Sequence, residues 1–300
     1  MPCEIRGAPV LRSAWEVDPL AAFTNQARLT YAGGAVSSNR VSGEITEVLT
    51  LAHACVSGTY EPGGRLAWAV SIRNAGDADI TDLTVTADLG AVTYGAETLY
   101  PLSWRQGSLL CLVDGAVTPL PVGKAGPPLT ITGVEVPAGG STVLVYETDV
   151  TEAAPLGDGA QIVNTVSLTG SCVAAPLTAA ATAEMDDAPI LSIVKALEPA
   201  VITGCGQVTY TFTLENAGGA AGEEAAIVVS DVFAPTLAGL TATLDGQVLT
   251  ADDYAYDESA GVFATTAGRI TVPAATYRQE EDGTWTVVPG VATLTVTGVI

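Results

Sequence analysis

The chain has 300 residues, of which 48% are hydrophobic, and its 33 acidic and 11 basic residues give a formal net charge of −22. This length suits two domains of ordinary size, each with its own hydrophobic core. Nucleic acids and anionic membrane surfaces attract basic proteins, so the charge argues against both as partners. No segment approaches the roughly 20 apolar residues of a membrane span, and we expect no membrane insertion.

Residues 1–19 are predicted to form a flexible N-terminal arm. They lack the basic start and the continuous apolar stretch of a secretion signal, so we expect no signal peptide. The arm carries Cys3, one of five cysteines, and an odd number leaves at least one thiol unpaired within the chain. Cys3 is therefore a candidate for a disulfide between subunits in an oxidising environment. The alternative is that all five thiols are buried or idle.

Residues 20–45 are predicted to form a β-hairpin. The first run alternates apolar and polar residues with a period of two, which indicates a strand with one apolar face. Gly33 and Gly34 supply a turn, and a second run follows over residues 39–45. The residues assigned to the binding face of this hairpin are Phe23, Asn25, Ala27, Leu29 and Tyr31, with Val41 from the second run.

The rest of the chain is predicted to be two copies of one module, module 1 at 46–186 and module 2 at 187–300. Residues 64–76 match residues 206–218 in polarity and spacing, and the match extends upstream without a gap. Short alternating strands punctuated by glycine and proline turns are typical of an antiparallel β-sandwich of immunoglobulin type. The predicted fold class is therefore all-β, with two tandem immunoglobulin-like sandwiches and an additional N-terminal hairpin.

Module 2 stops before the last hairpin of the repeat. Module 1 ends with strand-like runs near residues 162–169 and 177–183, and the pattern of residues 162–169 recurs in residues 23–30. We therefore expect the N-terminal hairpin to complete module 2 of a neighbouring subunit, beside Leu294 and Val296, in a head-to-tail homopolymer. The alternative is a monomeric adhesin or surface spacer whose hairpin closes its own module 2.

Two stretches resemble a known bacterial repeat. Residues 206–218 with 227–231 (Ile-Val-Val-Ser-Asp), and residues 64–76 with 83–88, resemble the surface repeat called domain of unknown function 11. The resemblance implies immunoglobulin-like modules on the bacterial cell surface or outside the cell, without enzymatic activity. This chain departs from it in lacking a secretion signal and in carrying one last hairpin ahead of the modules. The first departure fits release by lysis of the producing cell, as for proteins laid on spores.

Few residues in the chain are candidates for catalysis or for binding a metal ion. His53 is the only histidine, and nothing near it resembles a nucleophile elbow, so we do not expect an enzyme. The cysteines form no CxxC pair for zinc. We expect no cofactor. Calcium bound by acidic loops such as residues 77–82 is the alternative, although no loop has the spacing of a calcium motif.

Lys195 is a candidate for a covalent crosslink. It shares strand parity with Leu191 and Ile193 and is therefore expected to point inward. Some bacterial surface immunoglobulin-like domains contain Lys–Asn isopeptide bonds, and here the partner would be the donated Asn25, assisted by Asp231. The alternative is that the inward amide of Asn25 hydrogen-bonds a backbone group where a strand bends, since an unsatisfied buried amide costs about 1–3 kcal/mol.

Overall fold

The computed structural model describes residues 19–300 of the chain. The predicted fold class is confirmed, because nearly all of the regular structure is antiparallel β-strand and the described helix is limited to one 3-10 turn, Glu223–Ala225. Nothing helical in this range is long and apolar enough to cross a membrane. The predicted arm, apart from Pro19, lies outside the described residues, and Cys3 lies outside them too.

The N-terminal hairpin consists of two paired segments in line. The outer pair is β1 with β4 and the inner pair is β2 with β3, both antiparallel. Between the two pairs, Ser38 Oγ accepts a hydrogen bond from the Ala27 backbone N–H at 3.0 Å. The strands of the hairpin are β1 Pro19–Asn25, β2 Arg28–Tyr31, β3 Gly34–Ser37 and β4 Val41–Thr46.

Module 1 contains fourteen strands, most of them in two packed sheets. The first sheet has the order β13-β12-β16-β7-β5 with β11 also paired to β16, and the second has the order β14-β15-β8-β17-β18-β6. Its strands are β5 Leu49–Cys55, β6 Thr59–Tyr60, β7 Arg65–Asn74, β8 Ile80–Ala87, β9 Val92–Tyr94, β10 Glu97–Leu99, β11 Leu102–Trp104, β12 Leu110–Val113, β13 Ala116–Val117, β14 Val122–Lys124, β15 Leu129–Val136, β16 Ser141–Val150, β17 Gln161–Thr169 and β18 Leu177–Met185.

Module 2 contains ten strands and a core of its own. One sheet has the order β19-β20-β28-β22-β23, the facing sheet has only β21-β25-β24, and β26 pairs with β27 in a separate hairpin. Its strands are β19 Leu191–Glu198, β20 Gln207–Asn216, β21 Ser230–Val232, β22 Ala238–Leu244, β23 Gln247–Val248, β24 Tyr254–Asp257, β25 Val262–Thr265, β26 Thr276–Gln279, β27 Trp285–Val288 and β28 Gly290–Val299.

Alternation along the strands builds both cores. In β7 every second residue from Leu66 to Ile72 is fully buried, and in β20 the counterparts Val208, Phe212 and Leu214 are buried. This is the pattern of strands with one face in the core and one towards solvent. The buried Trp68 places its indole N–H 2.9 Å from the Thr148 hydroxyl, so its polar atom is satisfied inside the core.

The Asn-Ala-Gly sequence after β7 and β20 has one structural role in both modules. Asn74 is fully buried; its amide donates to the carbonyls of Ala78 and Val136 and its carbonyl accepts from Gly76 N–H. Asn216 is fully buried in the same way and hydrogen-bonds backbone groups of the segments just before β19, just after β20 and just before β26. A buried amide that satisfies several backbone groups fixes the end of the sandwich.

The hairpin β26–β27 of module 2 packs onto module 1. Tyr277, Trp285 and Val287 lie against the module 1 core cluster, and the Trp285 backbone N–H donates to the Glu152 backbone carbonyl at 2.7 Å. At the turn of this hairpin Gly283 has φ +83°, and an added Cβ would lie 2.5 Å from a methyl group of Leu99. The two modules therefore contact each other through side chains as well as through the chain connection.

Candidate assembly site: an open sandwich and an exposed hairpin

In module 1 the hairpin β17–β18 closes the sandwich. Strand β17 pairs with β8, and β18 continues the sheet and packs against β5 of the opposite sheet. The inward residues of β17 are fully buried, and they are Ile162, Asn164, Val166 and Leu168. Module 1 thus shows what a completed module looks like.

In module 2 the corresponding place is open. Strand β21 corresponds to β8 and pairs with β25 on one side, while no strand within residues 19–300 pairs with its other edge. Strand β19 corresponds to β5, and its inward face is uncovered: Leu49 of β5 is 3% exposed, whereas the equivalent Leu191 is 44% exposed. We call this place the open cleft; its inward residues are Leu191, Ile193, Lys195, Leu197 and Asp231.

The N-terminal hairpin has the complementary property. Phe23 is 54% exposed and Leu29 is 64% exposed, and Tyr31, Val36 and Val41 are also more than half exposed. These side chains are absent from both described core clusters. The Phe23 ring lies over Gly43, where an added Cβ would come within 2.5 Å of it. The hairpin therefore presents an apolar face that is not used inside the subunit.

The predicted position of the cleft needs correction. Leu294 and Val296 are fully buried on β28, which is paired on both sides, with β20 and β22. They belong to the existing core of module 2 and do not line its open edge. The sequence interpretation placed the cleft beside the last strand of the chain, but the last strand of a chain need not lie at the edge of its sheet. The free edge belongs to β21 and the uncovered face to β19.

Lys195 and Asp231 meet in the open cleft. The Lys195 ammonium forms an ion pair with the Asp231 carboxylate, and their side chains are 41% and 19% exposed. The Lys195 nitrogen also lies 4.6 Å from the ring centroid of Tyr210 and 5.4 Å from that of Phe233. Aromatic faces attract a cation and displace part of its water. The sequence indicated the parity of Lys195 but gave no signal for the two rings.

His53 occupies the position of Lys195 in module 1. Its Nδ1 is 3.0 Å from the backbone carbonyl of Asn164, and its Nε2 is 3.4 Å from the Tyr146 hydroxyl. Burial lowers the pKa of His53 to about 4, although the Asn164 hydrogen bond and the charge of Asp88 act in the opposite direction. The imidazole is therefore neutral at pH 7, and its Nδ1–H donates to the carbonyl.

Asn164 takes the place in module 1 that corresponds to Asn25. Its amide nitrogen donates to the Tyr146 hydroxyl at 2.9 Å, and burial keeps that phenol un-ionised by raising its pKa. The next residue, Thr165, donates its backbone N–H to the Asp88 carboxylate at 2.9 Å. The completed module thus brings an asparagine of the last hairpin beside the residue equivalent to Lys195, with a carboxylate nearby.

Other candidate groups are dispersed. Within residues 19–300, no three or more His, Cys, Asp or Glu side chains gather as a metal site would require. In the acidic loop considered for calcium, the Asp79 carboxylate accepts from the Ala138 backbone N–H at 2.8 Å. The thiols of Cys55, Cys111, Cys172 and Cys205 are free.

No protein-family model matches the sequence, and no curated protein is similar to it in sequence. Solved structures with similarity include BcpA, the major pilin subunit of Bacillus cereus, at 14% identity and a TM-score of 0.35 over 90% of this chain and 73% of that one. The 35 kDa C-terminal fragment of the major pilin GBS80 of Streptococcus agalactiae has 10% identity and a TM-score of 0.33 over 82% of this chain and 80% of that one. A family 123 glycoside hydrolase of Clostridium perfringens has 8% identity and a TM-score of 0.29 over 46% of this chain, which spans 27% of the hydrolase. Structural similarity this weak gives no basis for assigning the functions of those proteins to this chain.

Proposed function

We propose that this protein is the structural subunit of an extracellular fibre, in which the N-terminal hairpin of one subunit completes module 2 of the next. The observation that carries the proposal is a difference in burial. The inward-facing side chains of β17 are fully buried in module 1. The side chains that follow the same pattern in β1 and β2 are exposed, and no partner within the described residues covers them. The face that would receive it, on β19, is exposed as well.

The register of the two hairpins supports the exchange. In module 1 the inward Asn164 pairs with Ala181 and Ile162 pairs with Ala183. In the N-terminal hairpin Asn25 pairs with Val41 and Phe23 pairs with Gly43. Each hairpin thus has its asparagine two residues after a large apolar side chain, and that side chain lies opposite a small residue.

The order of the elements makes the junction repeat. In module 1, β18 of the closing hairpin leads through residues 186–190 into β19 of the next module. In the N-terminal hairpin, β4 leads through Glu47 and Val48 into β5. In the docked arrangement the donated hairpin is followed by module 1 of its own subunit, just as the hairpin β17–β18 is followed by module 2. The contact joins two different surfaces, and such a contact propagates into a fibre unless its rotation closes a ring.

Closure within one chain is opposed by geometry. The hairpin enters module 1 where Leu49 pairs with Asn74, while module 2 leaves from the opposite end, where Met185 lies beside Tyr60. At ~3.3 Å per residue the ten-residue strand β7 between these ends spans ~33 Å.

The linking segment is shorter than that span. Val41, the partner of Asn25, precedes Leu49 by eight residues, a reach of at most ~27 Å when fully extended. Lys195 lies four residues further into module 2 than Leu191, beyond the far end of module 1. The hairpin therefore reaches the cleft of another subunit more easily than its own.

Strand addition is favoured by backbone pairing and by apolar burial. The edge of β21 offers unpaired backbone groups, and a donated strand satisfies them. Burial of large apolar side chains such as Phe23 and Leu29 contributes about 1.5–3 kcal/mol each, before the cost of ordering and association is subtracted. The resemblance to bacterial surface repeats supports a location of this fibre on a cell or spore surface.

Deletion of residues 1–45 tests the proposal. Full-length protein should form long thin fibres in negative-stain electron microscopy and elute early from a size-exclusion column. The deletion variant should elute as a monomer and keep the cooperative unfolding of module 1, because the hairpin lies outside that core. If the full-length protein is instead monomeric and the deletion destabilises module 2, the hairpin closes module 2 of its own chain and the protein is a surface spacer.

A further inference from the structure

We propose that each joint of the fibre is closed by an amide bond between Asn25 of one subunit and Lys195 of the next, formed without a separate enzyme. This inference rests on the proposed fibre, because only docking brings the two residues together. It assigns to the open cleft a covalent function in addition to strand pairing.

The position of Asn25 follows from module 1. There the Asn164 backbone carbonyl accepts from His53, and the Asn164 side-chain amide donates to the Tyr146 hydroxyl, which lies 3.4 Å from His53 Nε2. The backbone N–H of the neighbouring Thr165 donates to the Asp88 carboxylate. The register of β5 with β7 and of β19 with β20 puts His53 and Lys195 at equivalent places, opposite Val70 and Phe212. Docking in the same register therefore brings the Asn25 side chain within reach of the Lys195 amine, with Asp231 beside the pair.

The surroundings of Lys195 favour reaction. The ion pair with Asp231 is partly open to water in the free subunit and becomes covered when the hairpin fills the cleft. Removing water disfavours two opposite charges relative to a neutral amine and a neutral carboxylic acid. The rings of Tyr210 and Phe233 complete an apolar enclosure around the nitrogen. Docking thus generates the nucleophile, and holding it against the amide replaces a bimolecular encounter.

The reaction needs no co-reactant. A proton moves from the Lys195 ammonium to the Asp231 carboxylate, and the neutral amine attacks the Asn25 side-chain carbonyl carbon. The new bond joins Lys195 Nζ to Asn25 Cγ, and the bond from Cγ to Nδ2 breaks. The departing nitrogen takes the two protons that Lys195 loses and leaves as ammonium, so Asp231 is a carboxylate again. Asp231 is the catalytic acid and base in this step.

Module 1 shows why its own joint stays non-covalent. His53 stands where the lysine would be, and burial keeps its imidazole neutral with Nδ1–H donating to a backbone carbonyl. An imidazole in that arrangement does not act as a nucleophile on the Asn164 side chain. The covalent site is therefore confined to the module that is completed by another subunit.

The test separates the crosslink from assembly. Fibres of the full-length protein are boiled in detergent with a reductant, which also breaks any disulfide, and are analysed by electrophoresis and peptide mass spectrometry. We expect a ladder of covalent oligomers, with Lys195 and Asn25 joined with loss of one ammonia. Lys195→Arg keeps the charge but removes the nucleophile, and Lys124→Arg at the only other lysine is the matched control.

The outcomes are distinct. Lys195→Arg, boiled in the same way, should give only single subunits, while Lys124→Arg and wild type give the ladder. Wild-type fibres that dissolve to single subunits, or a ladder that persists in Lys195→Arg, would overturn the crosslink and leave the fibre standing. Full-length protein that forms no fibre would overturn the proposed function, and the crosslink with it.

Discussion

Lys195 and Asp231 come from opposite sheets of module 2 and form an ion pair at the edge where the sandwich is open. Their counterparts in module 1 are enclosed by the hairpin β17–β18. An open sandwich edge that holds a polar pair, with an exposed hairpin on the same chain, leads to specific expectations for assembly.

The apolar face of the hairpin should control assembly. Phe23→Asp removes a large side chain whose burial is worth about 1.5–3 kcal/mol and would place a charge in the cleft. At ~1.4 kcal/mol per factor of ten, we expect the affinity between subunits to fall at least tenfold. Thr24→Asp, on the opposite face of the same strand, is the matched control and should assemble normally. Light scattering against protein concentration measures both; equal loss in the two variants would contradict a one-faced contact.

The cleft and the hairpin should act as separate ends. Ile193→Glu places a charge in the cleft but leaves the N-terminal hairpin unchanged, so this variant can donate a hairpin and cannot receive one. Mixed with wild type at a small fraction, it should cap fibres and shorten them. The control is Ser192→Glu on the outward face of β19. Fibre lengths in electron micrographs report the effect, and unchanged lengths with Ile193→Glu would place the receiving surface elsewhere.

Module 1 should weaken in mild acid because of His53. Its pKa is about 4 in the folded protein against 6.5 for the unperturbed side chain, so the unfolded chain binds more protons between these values. The free energy of unfolding should therefore fall as the pH drops from about 6.5 to 4. Because the ring is partly exposed, we expect a loss of about 1–2 kcal/mol rather than the full value implied by the shift.

His53→Gln isolates this contribution. The carboxylates titrate alike in both proteins, so the difference between their unfolding midpoints reports His53 alone. That difference should change between pH 6.5 and 4 and stay constant above pH 7. Parallel curves over the whole range would show that His53 does not carry the acid sensitivity.

Much of the fold could be predicted from local pattern. Alternation in residues 64–76 and 206–218 indicates half-buried strands because a β-strand turns successive side chains to opposite faces. The Asn-Ala-Gly sequences mark equivalent strand ends, where Asn74 and Asn216 each join loops from different parts of the module. The shared face of Lys195, Leu191 and Ile193 on one strand could be predicted in the same way.

The location of the site could not be predicted from local pattern. Leu294 and Val296 have the alternation of a strand, but that pattern does not tell how many neighbours the strand has in its sheet. Both edges of β28 are paired, and the free edge belongs to β21, far earlier in the chain.

The sequence by itself determined the β-strands, the repeat and the spare hairpin, because these follow from the spacing of side chains along the chain. Only the tertiary structure decided that the hairpin face is exposed, that β19 is uncovered, and that Lys195 meets Asp231 beside the rings of Tyr210 and Phe233. Those features depend on pairings between strands distant in sequence, and local side-chain alternation is compatible with more than one such pairing.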